Sequence, residues 1–410
     1  MNRWLLCSFT LLLVMGFAIT GCAQAGNEKL SEYDASFEVV TGAERLDVYL
    51  PLLKGKNVGL IINQTSVVGR WQTSLLDTLL HHKVRVKKVF VPEHGFRGTA
   101  AAGEKVDNEK DKKTGLPIIS LYGNNKKPTA AQLKNIDVLI YDLQDVGVRF
   151  YTYISTLQYA MEACAENDIQ LIILDRPNPN GFYVDGPVLD TGHRSFVGMQ
   201  PIPVVYGMTP GEYAKMLVGE KWFPGAEQLK MEVITCEQYD HKVKYQLPVP
   251  PSPNLQTMTA VYCYPSLCFF EGTVISVGRG TDKPFQQWGH PAFKGRATVY
   301  FTPVPVWGQK IKPPLAYEDC YGQVVAFNEQ EALRILKGRL RPLWLQRAYD
   351  WFPDKDKFFN NFFEKLAGTS ELRKQVEKGV SETDIQASWE PGLKAFKQIR
   401  KKYLLYTDFE

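Results

Sequence analysis

The sequence predicts an α/β protein with a doubly wound first domain and a smaller α+β second domain. Three observations lead to it. From Asn57 onward, short β-branched runs alternate with helix-like segments. Those runs are apolar along their whole length, the pattern of parallel strands buried on both faces. Past about residue 255 the rhythm gives way to glycine-punctuated segments and a helical tail. The composition, 44% hydrophobic and 22% charged, is that of a globular chain, and its length suffices for two cores.

At the start of the chain Arg3 precedes an apolar run, Trp4 to Ile19, that is short for a membrane span and ends in Ile19-Thr20-Gly21-Cys22. Residues 1–22 therefore read as a signal peptide of lipoprotein type, with Cys22 as the lipidated residue. Residues 23–38 are polar and read as a flexible tether. The expected location is the cell envelope, periplasmic or at the outer-membrane or cell surface, with the membrane as a partner through the lipid anchor.

Residues 39–255 make up the predicted α/β domain. Its strands are Val58 to Ile62, Val84 to Val91, Val138 to Asp142 and Leu171 to Asp175, with a helix ending near Leu80 and another from about Thr152 to Asn167. The Pro-rich stretch Leu247 to Pro253 disfavours helix and central strand, and it marks the crossing into the second domain, 256–410. There, Glu329 to Lys337, bracketed by Asn328 and Gly338, and Gly392 to Leu404 have helical apolar spacing.

Three of the strands run into polar loops: Pro92-Glu93-His94-Gly95-Phe96-Arg97-Gly98, Asp142 through Arg149, and Asp175-Arg176-Pro177-Asn178. In an open parallel sheet such loops share the edge where ligands bind. Glu93, placed after a buried strand, is a candidate general acid, because desolvation raises a carboxyl pKa; a capping or Arg97-pairing role fits the spacing equally well. Asp142 and Asp145, with Gln144, Arg149, Tyr151 and Tyr153, offer acids, amides and aromatic faces that suit a carbohydrate, or else cap the next helix. Asp175, Asn178 and Asn254 are further polar candidates that also serve as turn formers. Glu271 precedes a glycine-rich run holding Arg279, a bidentate grip for a carboxylate or a structural ion pair.

Several classes are excluded. No phosphate-binding or dinucleotide fingerprint, Gly-x-Ser-x-Gly elbow or metal-ligand histidine spacing occurs, so no cofactor and no metal are expected. Lys+Arg number 48 against 44 Asp+Glu, which gives no basis for nucleic-acid binding. Cys164, Cys236, Cys263, Cys268 and Cys320 form an odd set with no zinc or redox spacing, and they are expected to be mostly buried free thiols.

Taken in order, Pro92 to Gly98, Asp142 to Tyr153, Asp175 to Pro179, and Phe270-Glu271-Gly272-Thr273 through Gly278-Arg279-Gly280-Thr281 resemble the exo-acting N-acetylmuramidases of the NamZ type. The resemblance runs from about Gly55 to Tyr406. It implies a Rossmann-like first domain, a smaller second domain, a cleft between them, and release of non-reducing-end N-acetylmuramic acid from peptidoglycan-derived MurNAc-GlcNAc fragments. Glu93 falls on the family's acidic position, with Asp145 or Glu271 as the second carboxylate and His94, Arg97 and the residues above as substrate contacts. Retention, inversion and attack by the substrate's own acetamido group all stay open. The competing reading is a non-catalytic surface lipoprotein that binds muropeptides.

Overall fold

Val58, Leu60 and Ile62 point to one face of their strand and Ile61 to the other, and all four are fully buried, so this strand must lie between two covered layers. Each such side chain contributes about 1.5–3 kcal/mol by leaving water. The computed structural model describes residues 38–92, 96, 109–297, 299–306 and 311–410. In it the first half of the chain forms β1 (Asn57–Ile62), a short hairpin of β2 (Val67–Val68) and β3 (Thr73–Ser74), β4 (Arg85–Val91), β5 (Glu109–Lys110), β6 (Pro117–Ser120), β7 (Val138–Asp142), β8 (Gln170–Leu174) and β9 (Met231–Ile234).

The main sheet runs β5-β6-β4-β1-β7-β8-β9. Pairing from β6 to β9 is parallel throughout, and only β5 is antiparallel. Chain order across the six parallel strands is third, second, first, fourth, fifth, sixth, the doubly wound Rossmann-like arrangement whose switch point falls between β1 and β7. Helices Leu75–His81, Tyr153–Glu166 and Pro210–Gly219 supply crossovers. Four of these strands are readable as apolar runs in the sequence. β6 and β9 span four residues each, too few for a pattern to declare itself.

The second half is smaller and mixed, as expected: a three-stranded antiparallel sheet, β10 (Gln287–His290), β11 (Val299–Phe301) and β12 (Cys320–Val324), in the order β10-β12-β11, packed with helices. Asn328 caps Glu329–Leu336 by accepting from the Glu331 amide, and Lys337 and Gly338 close it at φ 51° and 66°. The last long helix, Glu382–Arg400, begins ten residues before the predicted Gly392, because Ser381 caps it and Pro391 is accommodated inside it. Val39–Glu410 forms one compact unit. Its larger core cluster runs from Ile61 to Phe396 without a break at the Pro-rich crossing. The five described cysteines are buried free thiols. No described helix is long and apolar enough to cross a membrane.

Candidate active site

A cavity of about 830 Å³ lies beside the carboxyl ends of β6 and β7, lined by Tyr122 to Asn124, Lys126, Phe150 to Tyr153 and Ser195 to Val197 from the first half. The opposite wall comes from the second half and includes Tyr264, Glu271, Arg279, Phe285 and Phe362. Ser252, Asn254 and Leu255, at the end of the Pro-rich crossing, lie between the two. Rigid proline backbone places them: Tyr151 donates its hydroxyl to the Pro251 carbonyl at 2.8 Å, which ties the crossing to the loop after β7.

Glu271 is the only carboxylate among the described lining residues. It sits on the turn Cys268–Gly272 that follows helix Met258–Leu267. Arg279 Nε donates to Glu271 Oε1 at 2.6 Å, while the Arg279 guanidinium packs on Phe285 at 5.0 Å. The Arg279 Nη groups make no hydrogen bond among the described residues, so half of the fork is free. The turn that aims Arg279 needs its flanking glycines. Gly278 and Gly280 have φ of 76° and 79°, and a Cβ on Gly280 would stand 2.5 Å from the Val304 carbonyl oxygen. Asn254 also presents an uncommitted group: its backbone amide is held by Ser252 Oγ, and its side-chain amide has no partner among the described residues.

The family model for the N-terminal part of exo-β-N-acetylmuramidase NamZ matches residues 58–259, and that for its C-terminal part matches residues 262–406. The "Peptidoglycan beta-N-acetylmuramidase NamZ" of Bacillus subtilis (strain 168) is 36% identical over 409 residues, covering 96% of this chain and 97% of that protein. The chain belongs to the NamZ family. Crystal structures of two DUF1343 family proteins from Bacteroides fragilis NCTC 9343 share the fold. One has TM-score 0.83 and 46% identity, covering 91% of this chain and all of that one (100%). The other has TM-score 0.72 and 31% identity, covering 90% and 99%.

Within this NamZ-family chain, the structure brings Glu271, Arg279, Tyr151 and Asn254 together on the cavity wall. Glu93, His94, Arg97 and Cys22 lie outside the described residues. The remaining candidates lie off the cavity, where their polar groups hold the sheet's loops to one another. Arg176 grips Asp142 in a buried fork, Nε to Oδ1 and Nη2 to Oδ2, the latter at 2.9 Å. Gln144 donates to the Asp145 and Pro177 carbonyls, and Asn178 to that of Met208. Asp175 accepts from Thr209, Gly211 and Tyr406 at 2.6–2.8 Å. Arg149, fully buried, donates to the carbonyls of Pro187, Ile202, Leu366 and Ala367. It pairs with neither Asp142 nor Asp145, because its guanidinium is taken up by these carbonyls, two from the first half of the chain and two from the second.

Asp145 is buried, and burial pushes its carboxyl up to about 7 although Tyr206 and Gly147 donate to Oδ1. Its Oδ2 has no hydrogen-bond partner among the described residues. Tyr264, Phe285 and Lys126 line the cavity without having been singled out in the sequence. The aromatic density of Tyr262 to Phe270 was the available signal for the first of them.

Proposed function

We propose that this chain is an exo-acting β-N-acetylmuramidase, a glycosidase that releases N-acetylmuramic acid from the non-reducing end of peptidoglycan-derived MurNAc-GlcNAc fragments. One observation carries the reading: in a chain of this family, the cavity between the halves exposes a single described carboxylate, Glu271, beside a half-free Arg279. Glycoside hydrolysis takes two groups, a proton donor to the leaving oxygen and an anion facing the developing oxocarbenium carbon. Glu271, ion-paired to Arg279, suits the anion. Glu93, two residues beyond the end of β4 in sequence, is the proposed donor. The free Nη groups of Arg279 suit the lactyl carboxylate of N-acetylmuramic acid, and the Asn254 amide suits a sugar hydroxyl or acetamido group.

A chromogenic aryl N-acetylmuramide tests this directly: the full chain should release the chromophore, and Glu93→Gln and Glu271→Gln should each lower kcat by about 10²–10⁴-fold without changing the melting temperature. Full activity in Glu93→Gln would refute the assignment of the acid. Intact sugar recovered by mass analysis after prolonged incubation of the wild-type chain would refute the enzyme reading.

The chain is also proposed to be exported and anchored through a lipid on Cys22, on the strength of Arg3, the apolar run to Ile19 and Gly21-Cys22. Expressed in a bacterium fed a labelled fatty acid, the wild type should carry the label into the membrane fraction. Cys22→Ala should not.

A further inference from the structure

The walls of the cavity are unequal. Tyr264, Cys268, Phe270 and Phe285 are almost fully buried and surround the Glu271 and Arg279 end, whereas Asn124, Phe362 and Lys365 are exposed. An enzyme that removes a terminal sugar holds that sugar at the enclosed end and the rest of the strand at the open one. The open end is basic. Lys126 places its ammonium 4.5 Å from the Phe196 ring centroid, and Phe196 is stacked on Tyr159 at 6.0 Å with an interplanar angle of 13°. A cation–π contact fixes a charge without consuming its N–H donors. Neighbouring Lys127 shows the contrast, since it is neutralised by Glu162 at 3.2 Å and by Glu166. Neither Lys126 nor Lys365 is ion-paired among the described residues. The backbone under Lys365 is anchored, because the next carbonyl, that of Leu366, accepts from Arg149 at 2.9 Å.

We infer that Lys126 and Lys365 form a subsite for a carboxylate on the leaving part of the substrate, beyond the bond that is cleaved. This rests on the hydrolase reading above. In a strand of alternating GlcNAc and MurNAc, the first leaving sugar is neutral and the second bears either a lactyl carboxylate or the acidic stem peptide attached to it. Two cations with open donors at the rim match that chemistry and steer the strand in one orientation.

The disaccharide GlcNAc-MurNAc is a suitable probe, because it begins with GlcNAc and so offers an enzyme of this specificity nothing to cleave. Titration calorimetry on the full chain would compare the free acid, its methyl ester, and the same disaccharide carrying an L-Ala-D-Glu peptide. Either the acid or the peptide form should bind about tenfold more tightly than the ester, with the advantage shrinking as salt is added. That preference should be lost in the Lys126→Gln/Lys365→Gln double variant, whose melting temperature checks its fold. The arm that shows the effect identifies which carboxylate is read. Equal binding of all three forms, absence of binding, or a preference that survives in the double variant would overturn the subsite. Hydrolysis of the aryl N-acetylmuramide decides the activity separately: lysine-dependent binding without turnover would remove the enzyme reading and leave the subsite standing.

Discussion

Asp145 has one oxygen saturated, by the Tyr206 hydroxyl at 2.7 Å and the Gly147 amide at 2.6 Å, and the other without a hydrogen-bond partner among the described residues. Burial pushes its carboxyl to about 7, and that of Asp175 to about 6. In the unfolded chain both lose their protons near pH 4. Over the window from about 4 to 7 the folded state therefore binds more protons than the unfolded one, and stability falls as the pH rises through it. For Asp145 the full swing is on the order of 4 kcal/mol. Asp145→Asn keeps Oδ1 as an acceptor and puts an N–H where the protonated carboxyl has its O–H. We expect it to melt within a degree or so of the wild type at pH 5 and a few degrees above it at pH 8. An equal difference at both pH values would mean that Asp145 is not the group responsible. The Asp142–Arg176 fork is a different case, a buried ion pair whose loss of one partner would cost about 3–5 kcal/mol.

At the scale of elements, the loop after β7 joins the two halves. Gly147 turns it at φ 75°, where a Cβ would stand 2.0 Å from Asn178 Oδ1, and Arg149 then reaches the helix Phe363–Ala367 through the Leu366 and Ala367 carbonyls. Arg149→Lys keeps the charge but brings three donors to four buried carbonyls. At least one acceptor is stranded, which costs about 1–3 kcal/mol. The expected result is a lower denaturant midpoint with an unchanged slope; an unchanged midpoint would show that the four bonds are replaceable. The sequence named this loop as a site because acids, amides and an arginine follow a strand. Only the packing shows that most of their polar atoms are consumed in holding it, with Gln144 Oε1, Asp145 Oδ2 and Arg149 Nε left without a hydrogen bond among the described residues, and that its contribution to the cavity is Phe150, Tyr151, Thr152 and Tyr153.

At the scale of the whole molecule, the halves are tied by a continuous core and by the end of the chain. Leu405 N donates to Glu212 Oε1 at 2.8 Å, the Tyr406 hydroxyl to Asp175 at 2.6 Å, and Arg400 Nε to the Gly207 carbonyl at 2.8 Å. Residues 39–410 should therefore unfold in one calorimetric transition; two resolved transitions would show that the halves fold as separate domains. The sequence by itself determined the α/β class, four strands of the sheet, the helix that starts at Glu329 and, through four ordered motifs, the family. All of these depend on local apolar period or on contiguous residues, which a linear reading preserves. Tertiary structure decided which polar groups are free. Glu271, Arg279 and Asn254 look no more reactive in sequence than Asp142, Arg149 or Asp175. The difference lies in partners brought from 34 to 231 residues away: Arg176 for Asp142, Leu366 and Ala367 for Arg149, Tyr406 for Asp175. Whether a buried acid is a site or a strut depends on such distant neighbours, because desolvation and hydrogen bonding act through space.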